Sequence, residues 1–483
     1  MKLSGLLDEF EITLLKGDLD INIKNIINDS RSVEEGSLFI CIDGFETDGH
    51  KYIESAIKKG AKAILVQKKV EVEEDITVVQ VEDTRKALAL LSSKYYNHPS
   101  NKFELIGITG TNGKTSTVFL IKNILESFKK KTGIIGTIEN RIGDEVFETS
   151  RTTPESNELQ ELFSKMAEAN VNDVIMEVSS HALDLHRVDG SMFDIGVFTN
   201  LSLDHLEYHK TMENYRDAKL KLLNMCPIGV INIDDTVGVY MVENSNCKKY
   251  ITYGCDNDKA SLNASKISNK ISGTSFYLTL NGEEHLFEIQ TPGKFSVYNA
   301  LAAIGVCIAL NVPVEIIKKS LKEKSTIKGR FETFISKEGF FVIVDYAHTP
   351  DGLENVLDTI LEVSLGRVIT VFGCGGDRDR SKRPKMGKIV GEKSDYSIIT
   401  SDNPRTENPE LIMKEIEEGI NTTDCFYEII ESRELAIENA LSIAKKDDIV
   451  LIAGKGHEDY QIIGTTKNYF DDAELVKKIL SKK

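Results

Sequence analysis

The chain has 483 residues, 41% of them hydrophobic and 28% charged, with a formal net charge of −17. That length calls for about three domains, and that composition for a globular protein with packed cores. The acidic balance argues against non-specific attachment to nucleic acid or anionic lipid, so any anionic ligand has to be met by local basic clusters. The first residues turn acidic by position 8 and do not form a signal peptide. No stretch reaches the roughly 18 apolar residues of a membrane helix. Seven scattered cysteines suggest reduced thiols in a cytoplasm.

Residues 1–98 carry short strands and one helix, Tyr52 to Lys59, followed by a strand from Ala61 to Val66. The mixed-charge run from Lys68 to Asp75 reads as a solvated loop, and Tyr95 to Asn101 as a linker. An apolar run, Phe103 to Ile108, then reads as a buried strand. Val118, Ile121, Leu125 and Phe128 follow at helical spacing. Between them lies Thr109-Gly110-Thr111-Asn112-Gly113-Lys114-Thr115-Ser116. Strand, glycine turn and helix N-terminus make a phosphate cradle: glycines admit the phosphates close to backbone amides, and the helix dipole favours negative charge. Lys114 would reach phosphate oxygens and Thr115 would bind Mg²⁺, although Ile108 stands where the usual spacing has a glycine.

Further strands are expected at Val174 to Val178, Ile195 to Thr199 and Val230 to Ile233, with a helix over Glu155 to Glu168 and Pro154 at its first position. Asn281-Gly282 between two alternating runs is a type I′ hairpin signal. From Lys328 onward, four apolar runs (Phe340 to Val344, Val368 to Phe372, Ser397 to Thr400, Ile449 to Ala453) each end in a polar segment: DYAHTPD, GCGGDRDRSKRP, SDNPRTENP and GKGHEDYQ. Open parallel sheets bind ligands at the carboxyl ends of their strands, so a second ligand site is expected there.

Glu177 ends a buried strand, and a buried carboxylate must be paired or metal-bound. Thr115, Glu177 and His205 are therefore candidates to share Mg²⁺. Six of the nine histidines (181, 186, 205, 209, 348 and 457) fall just past expected strands. By pattern alone, Lys219 is a solvated helical lysine. Arg378, Arg380, Lys382, Arg383, Lys385 and Lys388 form a basic cluster read as an anion-binding patch. Asp402-Asn403-Pro404-Arg405 sets a guanidinium on a rigid turn, suited to gripping a carboxylate, and Glu458 can pair with an ammonium. Both signs of charge together suit an amino-acid zwitterion.

The set TGTNGKTS, MEVSSHALDLHRV, NLSLDHLEYH, DYAHTPD, DNPR and GKGHEDYQ, in this order, resembles the Mur ligase family across the whole chain. The resemblance implies an α/β protein of three domains. These are a small α/β N-terminal domain (1–98) for the UDP substrate, a central P-loop-type ATPase domain with a mostly parallel sheet (99–329), and a C-terminal Rossmann-like domain (330–483) for the amino acid. It implies an ATP-dependent ligase of cytoplasmic peptidoglycan precursor synthesis, with the consequences for cell wall, shape and division that this carries. ATP would phosphorylate the D-glutamate γ-carboxylate of UDP-MurNAc-L-Ala-D-Glu, and the amine of meso-diaminopimelate would displace the phosphate.

By the same resemblance Gly110 to Ser116 bind ATP, with Asn299 on the adenine side and Arg330 and Asp345 at phosphate and ribose. Lys114, Glu177, His205 and Lys219 are the catalytic set. Thr115, Glu177, His205 and Lys219, the last as an N6-carboxylysine, hold Mg²⁺. Ser30, Thr152, Thr153, Ser179 and Arg187 bind the UDP-MurNAc dipeptide. Arg378, Asp402, Asn403, Pro404, Arg405, Gly454 and Glu458 bind diaminopimelate, and lysine-adding relatives lack the arginine. Ser296 and Leu185 depart from the family's Asn and Gln. Partners are then small molecules, with no nucleic acid, no membrane, and a monomer. The competing readings are a lysine-adding ligase, folylpolyglutamate synthase, and a nucleotide-operated switch that does not ligate.

Overall fold

Runs of Ile, Val and Leu bounded by polar turns form strands buried on both faces, and these assemble into three large sheets in a computed structural model that describes residues 1–483 except 46, 150, 324, 325 and 483. The first sheet orders its strands Thr13–Lys16, Thr77–Gln80, Ala63–Val66, Ser37–Ile40 and Asn25–Ile27; only Thr13–Lys16 runs antiparallel. Besides the short helix Leu3–Leu6, residues 1–98 carry two longer helices where one was expected, at Ile53–Lys58 and Thr84–Tyr95. The second was overlooked because its stripe is weak, although Asp83 caps it by accepting from the amides of Arg85 and Lys86. That helix extends into the expected linker, which continues as a 3₁₀ turn at Pro99–Lys102.

The second sheet has nine strands, with Glu104–Thr109 near its middle, flanked by Ile195–Phe198 and Asp173–Glu177. Seven of its strands are parallel, and a hairpin, Asn140–Ile142 and Glu145–Phe147, adds an antiparallel edge. Parallel pairing puts the carboxyl ends of Glu104–Thr109, Asp173–Glu177 and Ile195–Phe198 at one edge, with Glu177 opposite Ile108. The helix Lys114–Ser127 buries Val118, Ile121, Ile124 and Leu125 against this sheet. Pro154 lies outside the next helix, Ser156–Glu168, because Glu155 is its cap in a reciprocal box with Glu158. Asn281 and Gly282, at φ 52° and 85°, form the expected hairpin turn between Gly273–Leu280 and Glu283–Ile289.

The third sheet orders Glu332–Ile335, Phe341–Asp345, Ile449–Ala453, Val368–Phe372, Tyr396–Ile399 and Phe426–Ile429; only the first is antiparallel. The four polar segments of the sequence thus leave neighbouring strands at a common edge. No helix among the described residues is long and apolar enough to cross a membrane.

Candidate functional site

Gly110 and Gly113 take φ values of 152° and 86°, and a Cβ on Gly113 would overlap Asn299 Oδ1, so the loop needs glycine there. The loop is braced from the next strand end: the Thr111 amide donates to Asn200 O at 2.9 Å, the Asn112 amide to Asn200 Oδ1 at 2.9 Å, and Thr199 Oγ1 to Asn112 O at 2.7 Å. With those amides engaged, anion binding falls to the first turn of the helix from Lys114, whose N–H groups have no intrahelical acceptor. Lys114 Nζ curls over the loop onto the carbonyl oxygens of Gly110 and Thr111, each at 2.9 Å.

Thr115 Oγ1 donates to Glu177 Oε1 at 3.0 Å and accepts from Arg330 Nη2 at 3.0 Å. Arg330 also lies over the Tyr346 ring at 4.5 Å, and its Nε is buried with no hydrogen-bond partner among the described residues. Glu177, almost fully buried, is further fixed by the amide and hydroxyl of Thr137 at 2.9 and 3.1 Å. Thr137 passes the contact to Thr152 Oγ1 at 3.0 Å. Mg²⁺ is a hard cation that keeps several waters and binds through one or two protein oxygens plus substrate phosphates. The donor set Thr115 and Glu177 at the mouth of a phosphate loop fits that ion, and Gly136 leaves room there, since a Cβ on it would sit 2.7 Å from Glu177 Oε1.

Among the described residues neither His205 nor Lys219 bonds to Glu177, although His205 lines the same cleft as Glu177. His205, at φ 54°, is nearest to Asp204 and Glu207 at 3.4 and 3.6 Å, and packs edge-on to His181. Lys219 is fully buried, against the expectation of a solvated lysine. Its ammonium lies over the Tyr215 ring at 4.4 Å, with no ion pair among the described residues. Burial, and then the charge of Lys114, hold its pKa well below the usual lysine range. A helical pattern cannot foresee this, because the charges that Lys219 meets, Lys114 and Asp204, come from other elements. Among the described residues no group of three or more His, Cys, Asp or Glu forms a protein-only metal cage.

A cleft of about 1150 Å³ joins the phosphate loop, Glu177, Asn299, Arg330 and Asp345. Asp345 accepts from the amides of Phe331 and Ala347 at 2.7 and 2.8 Å, and burial raises its pKa. Ser296, at the variant position, donates back to Pro292 O at 2.7 Å. Leu185 ends the short helix Ser180–Asp184. Asp351 also lines the cleft. Its Oδ2 accepts from Asn112 Nδ2 at 2.7 Å and Ser202 Oγ at 3.1 Å, tying the third sheet's first helix to the phosphate loop. Neither Asp351 nor Thr137 was singled out in the sequence; each lies just past a strand carboxyl end, and that position was the available signal.

Of the residues expected to bind the dipeptide, Thr153, Ser179 and Arg187 are joined. Thr153 Oγ1 donates to Glu177 O and accepts from the Ser179 amide, and Arg187 Nη1 donates to Thr153 O while pairing with Glu155 at 2.7 Å. Only Thr152 of that set lines the cleft, and Ser30 belongs to the first sheet's loops. Asn403, Arg405, Gly454 and Glu458 gather at the carboxyl ends of Tyr396–Ile399 and Ile449–Ala453, outside the cleft lining. Arg405 sits at φ 52° with Nη1 on Gly376 O at 2.8 Å, and Arg378 borders the same glycine turn. Asp402 caps its neighbour's amide at 2.6 Å and lies against Gly454; Pro404 is buried beside Gly376.

The basic cluster is not the open anion patch expected of it. Arg383 is fully buried between Glu407 and Glu415, Arg380 pairs with Glu415, Lys388 with Glu392, and Lys382 donates to His348 O. Spacing showed the cations but not Glu407 and Glu415, which lie just before and on the helix Pro409–Ile420 and neutralise Arg383.

Three family models match this chain: Mur ligase family, catalytic domain over residues 22–96; Mur ligase middle domain over 108–307; and Mur ligase, glutamate ligase domain over 329–456. It is 50% identical to the UDP-N-acetylmuramoyl-L-alanyl-D-glutamate–2,6-diaminopimelate ligase of Caldanaerobacter subterraneus subsp. tengcongensis, across 97% of this chain and 96% of that protein. It is 49% identical to the ligase of the same name from Clostridioides difficile, across the full length of both. A solved structure of a ligase of that name superimposes with a TM-score of 0.72 at 29% identity, covering 100% of this chain and 99% of the other.

Proposed function

The chain belongs to the Mur ligase family, and we propose that it is the member that joins 2,6-diaminopimelate to UDP-MurNAc-L-Ala-D-Glu at the expense of ATP. The observation that carries this reading is the linked group Arg330, Thr115 and Glu177 at the mouth of the phosphate loop, beside Lys114 and continuing through Thr137 to Thr152. It supports reading Thr115, Glu177 and Arg330 as the ATP-handling residues and Thr152 as a dipeptide-binding residue of one hydrogen-bonded chain.

A carboxylate is a poor acyl donor, so ATP first transfers its γ-phosphoryl group to the D-glutamate γ-carboxylate, releasing ADP. Lys114 and Arg330 offset the negative charge that gathers as three anions meet. Thr115 and Glu177 would hold Mg²⁺, which would supply charge neutralisation for the transferring group. His205 and Lys219 belong to the same reading, with Lys219 carrying a carbamate. A carbamate forms from a neutral amine, and the lowered pKa of the buried Lys219 supplies one. Thr153, Ser179 and Arg187 orient the dipeptide. The amine of diaminopimelate then attacks the acyl carbon, loses a proton, and inorganic phosphate leaves.

Asn403, Arg405 and Glu458 select the amino acid: the guanidinium takes the distant carboxylate and Glu458 the ammonium. Lysine offers no second carboxylate, so it leaves the half-buried guanidinium without an ionic partner and is rejected. Because this cluster stands outside the nucleotide cleft, the third domain closes on the central one during the cycle. We assign residues 1–98, 99–329 and 330–483 to the UDP, ATP and amino-acid domains, and the enzyme to the cytoplasm as a monomer.

Purified protein with ATP, Mg²⁺, the UDP-MurNAc dipeptide and diaminopimelate is expected to yield ADP, phosphate and a product heavier by one diaminopimelate residue. Incorporation of lysine at equal efficiency, or ATP hydrolysis without amide, refutes the assignment.

A further inference from the structure

Lys455 follows the strand Ile449–Ala453 and is fully buried. A buried ammonium is costly unless its protons are satisfied, and here three acceptors surround it. Its Nζ donates to Asn403 Oδ1 at 3.3 Å, to Glu458 Oε2 at 3.1 Å, and to the carbonyl of Tyr460. Asn403 Oδ1 also accepts from the Ile462 amide at 2.9 Å, while Asn403 Nδ2 donates to Glu458 Oε2 at 2.8 Å.

These bonds fix the side-chain amide. With two donors on its oxygen and a carboxylate on its nitrogen, a flipped Asn403 would set NH₂ against an ammonium and an N–H, and oxygen against a carboxylate. The same ammonium and the Asn403 amide occupy one oxygen of Glu458. The other oxygen, Oε1, has no partner among the described residues, and the Glu458 side chain keeps 14% of its exposure.

We infer that Lys455 is a positioning residue for amino-acid selection: it locks the orientation of Asn403 and holds Glu458 by one oxygen, so that the other is presented to the ammonium of the incoming diamino acid. This rests on reading Asn403 and Glu458 as the amino-acid cluster. No role for Lys455 follows from the motif alone, where it appears as one lysine among glycines.

The test compares full-length wild type, Lys455→Met, Glu458→Gln and the double variant in steady-state ligation, varying each substrate in turn. Wild type that does not ligate diaminopimelate refutes the functional reading, whatever the variants do. With active wild type, Lys455→Met is expected to raise the KM for diaminopimelate about tenfold or more, leaving the KM values for ATP and the UDP-dipeptide within about twofold. In the Glu458→Gln background, adding Lys455→Met is expected to change the KM for diaminopimelate less than about threefold, because the lysine acts through the partner already lost. An unchanged diaminopimelate KM, a parallel rise in all three, or full additivity in the double variant overturns the proposal. Should Lys455→Met not fold, Glu458→Gln against the double variant, which buries no unpaired carboxylate, decides it. Loss of fold in both methionine variants overturns the proposal in favour of a purely structural lysine.

Discussion

Replacing Arg405 with alanine removes the guanidinium assigned to the distant carboxylate of diaminopimelate. Its Nη1 touches only carbonyl oxygens, of Gly376 at 2.8 Å and Asn403 at 3.5 Å, and no carboxylate among the described residues pairs with it. Its backbone is clamped to the hairpin by Arg405 N to Ile462 O at 3.1 Å and Gly464 N to Arg405 O at 2.8 Å. Alanine is as disfavoured as arginine at φ 52°, so the substitution leaves the left-handed strain unchanged and reports on the side chain alone. A hydrogen bond to a charged group contributes about 1.5–3 kcal/mol, and a fork can make two. Since Arg405 is only half buried, a total near the lower end, about 3 kcal/mol, is appropriate, equal to about a hundredfold in kcat/KM. The assay is phosphate release with diaminopimelate and with lysine, each confirmed by product mass. The KM for ATP should hold, and preference for diaminopimelate over lysine should narrow by the same factor, because lysine never used the lost contact. A parallel rise in the ATP KM, or an unchanged preference, would refute the reasoning.

Asp351→Ala removes the acceptor shared by Asn112 and Ser202 and is expected to weaken ATP binding by about 1–2 kcal/mol, read by calorimetry with a non-hydrolysable analogue; unaltered affinity would show the bridge to be incidental. Gly113→Ala combines a left-handed φ of 86° with overlap of Asn299, and should lower ATP affinity by about tenfold or more while circular dichroism stays unchanged. Intact-protein mass spectrometry under mild, CO₂-saturated conditions should find one added CO₂ at Lys219, absent from Lys219→Arg; no adduct in active enzyme contradicts the carbamate. Burial holds His348 and His457 at about 4 and about 3, with nearby Lys382 and Arg330 adding to it. Both stay neutral when folded but take up protons when unfolded, so their contribution is complete above the unfolded value of about 6.5 and is lost as pH falls toward 4. Each should cost up to about 1.4 kcal/mol per pH unit in that window, and His348→Gln should flatten the slope of denaturation midpoints; a slope equal to wild type would count against it.

The sequence by itself determined the strands around the phosphate loop, the loop's glycine turn and the common edge at which the third region's polar segments emerge. Those features rest on local rules: buried parallel strands are continuous apolar runs, and their polar carboxyl ends advertise sites. The family resemblance, drawn from motifs in order, reached further than any single pattern. Tertiary structure alone decided what lies opposite each charge. Arg383 is consumed by Glu407 and Glu415, Lys219 is buried against the Tyr215 ring, and Lys455 is enclosed by Asn403, Glu458 and Tyr460. Whether a cation binds ligand, braces the fold or loses its proton depends on burial and on partners dozens of residues away, and neither is encoded in its own neighbourhood of the chain.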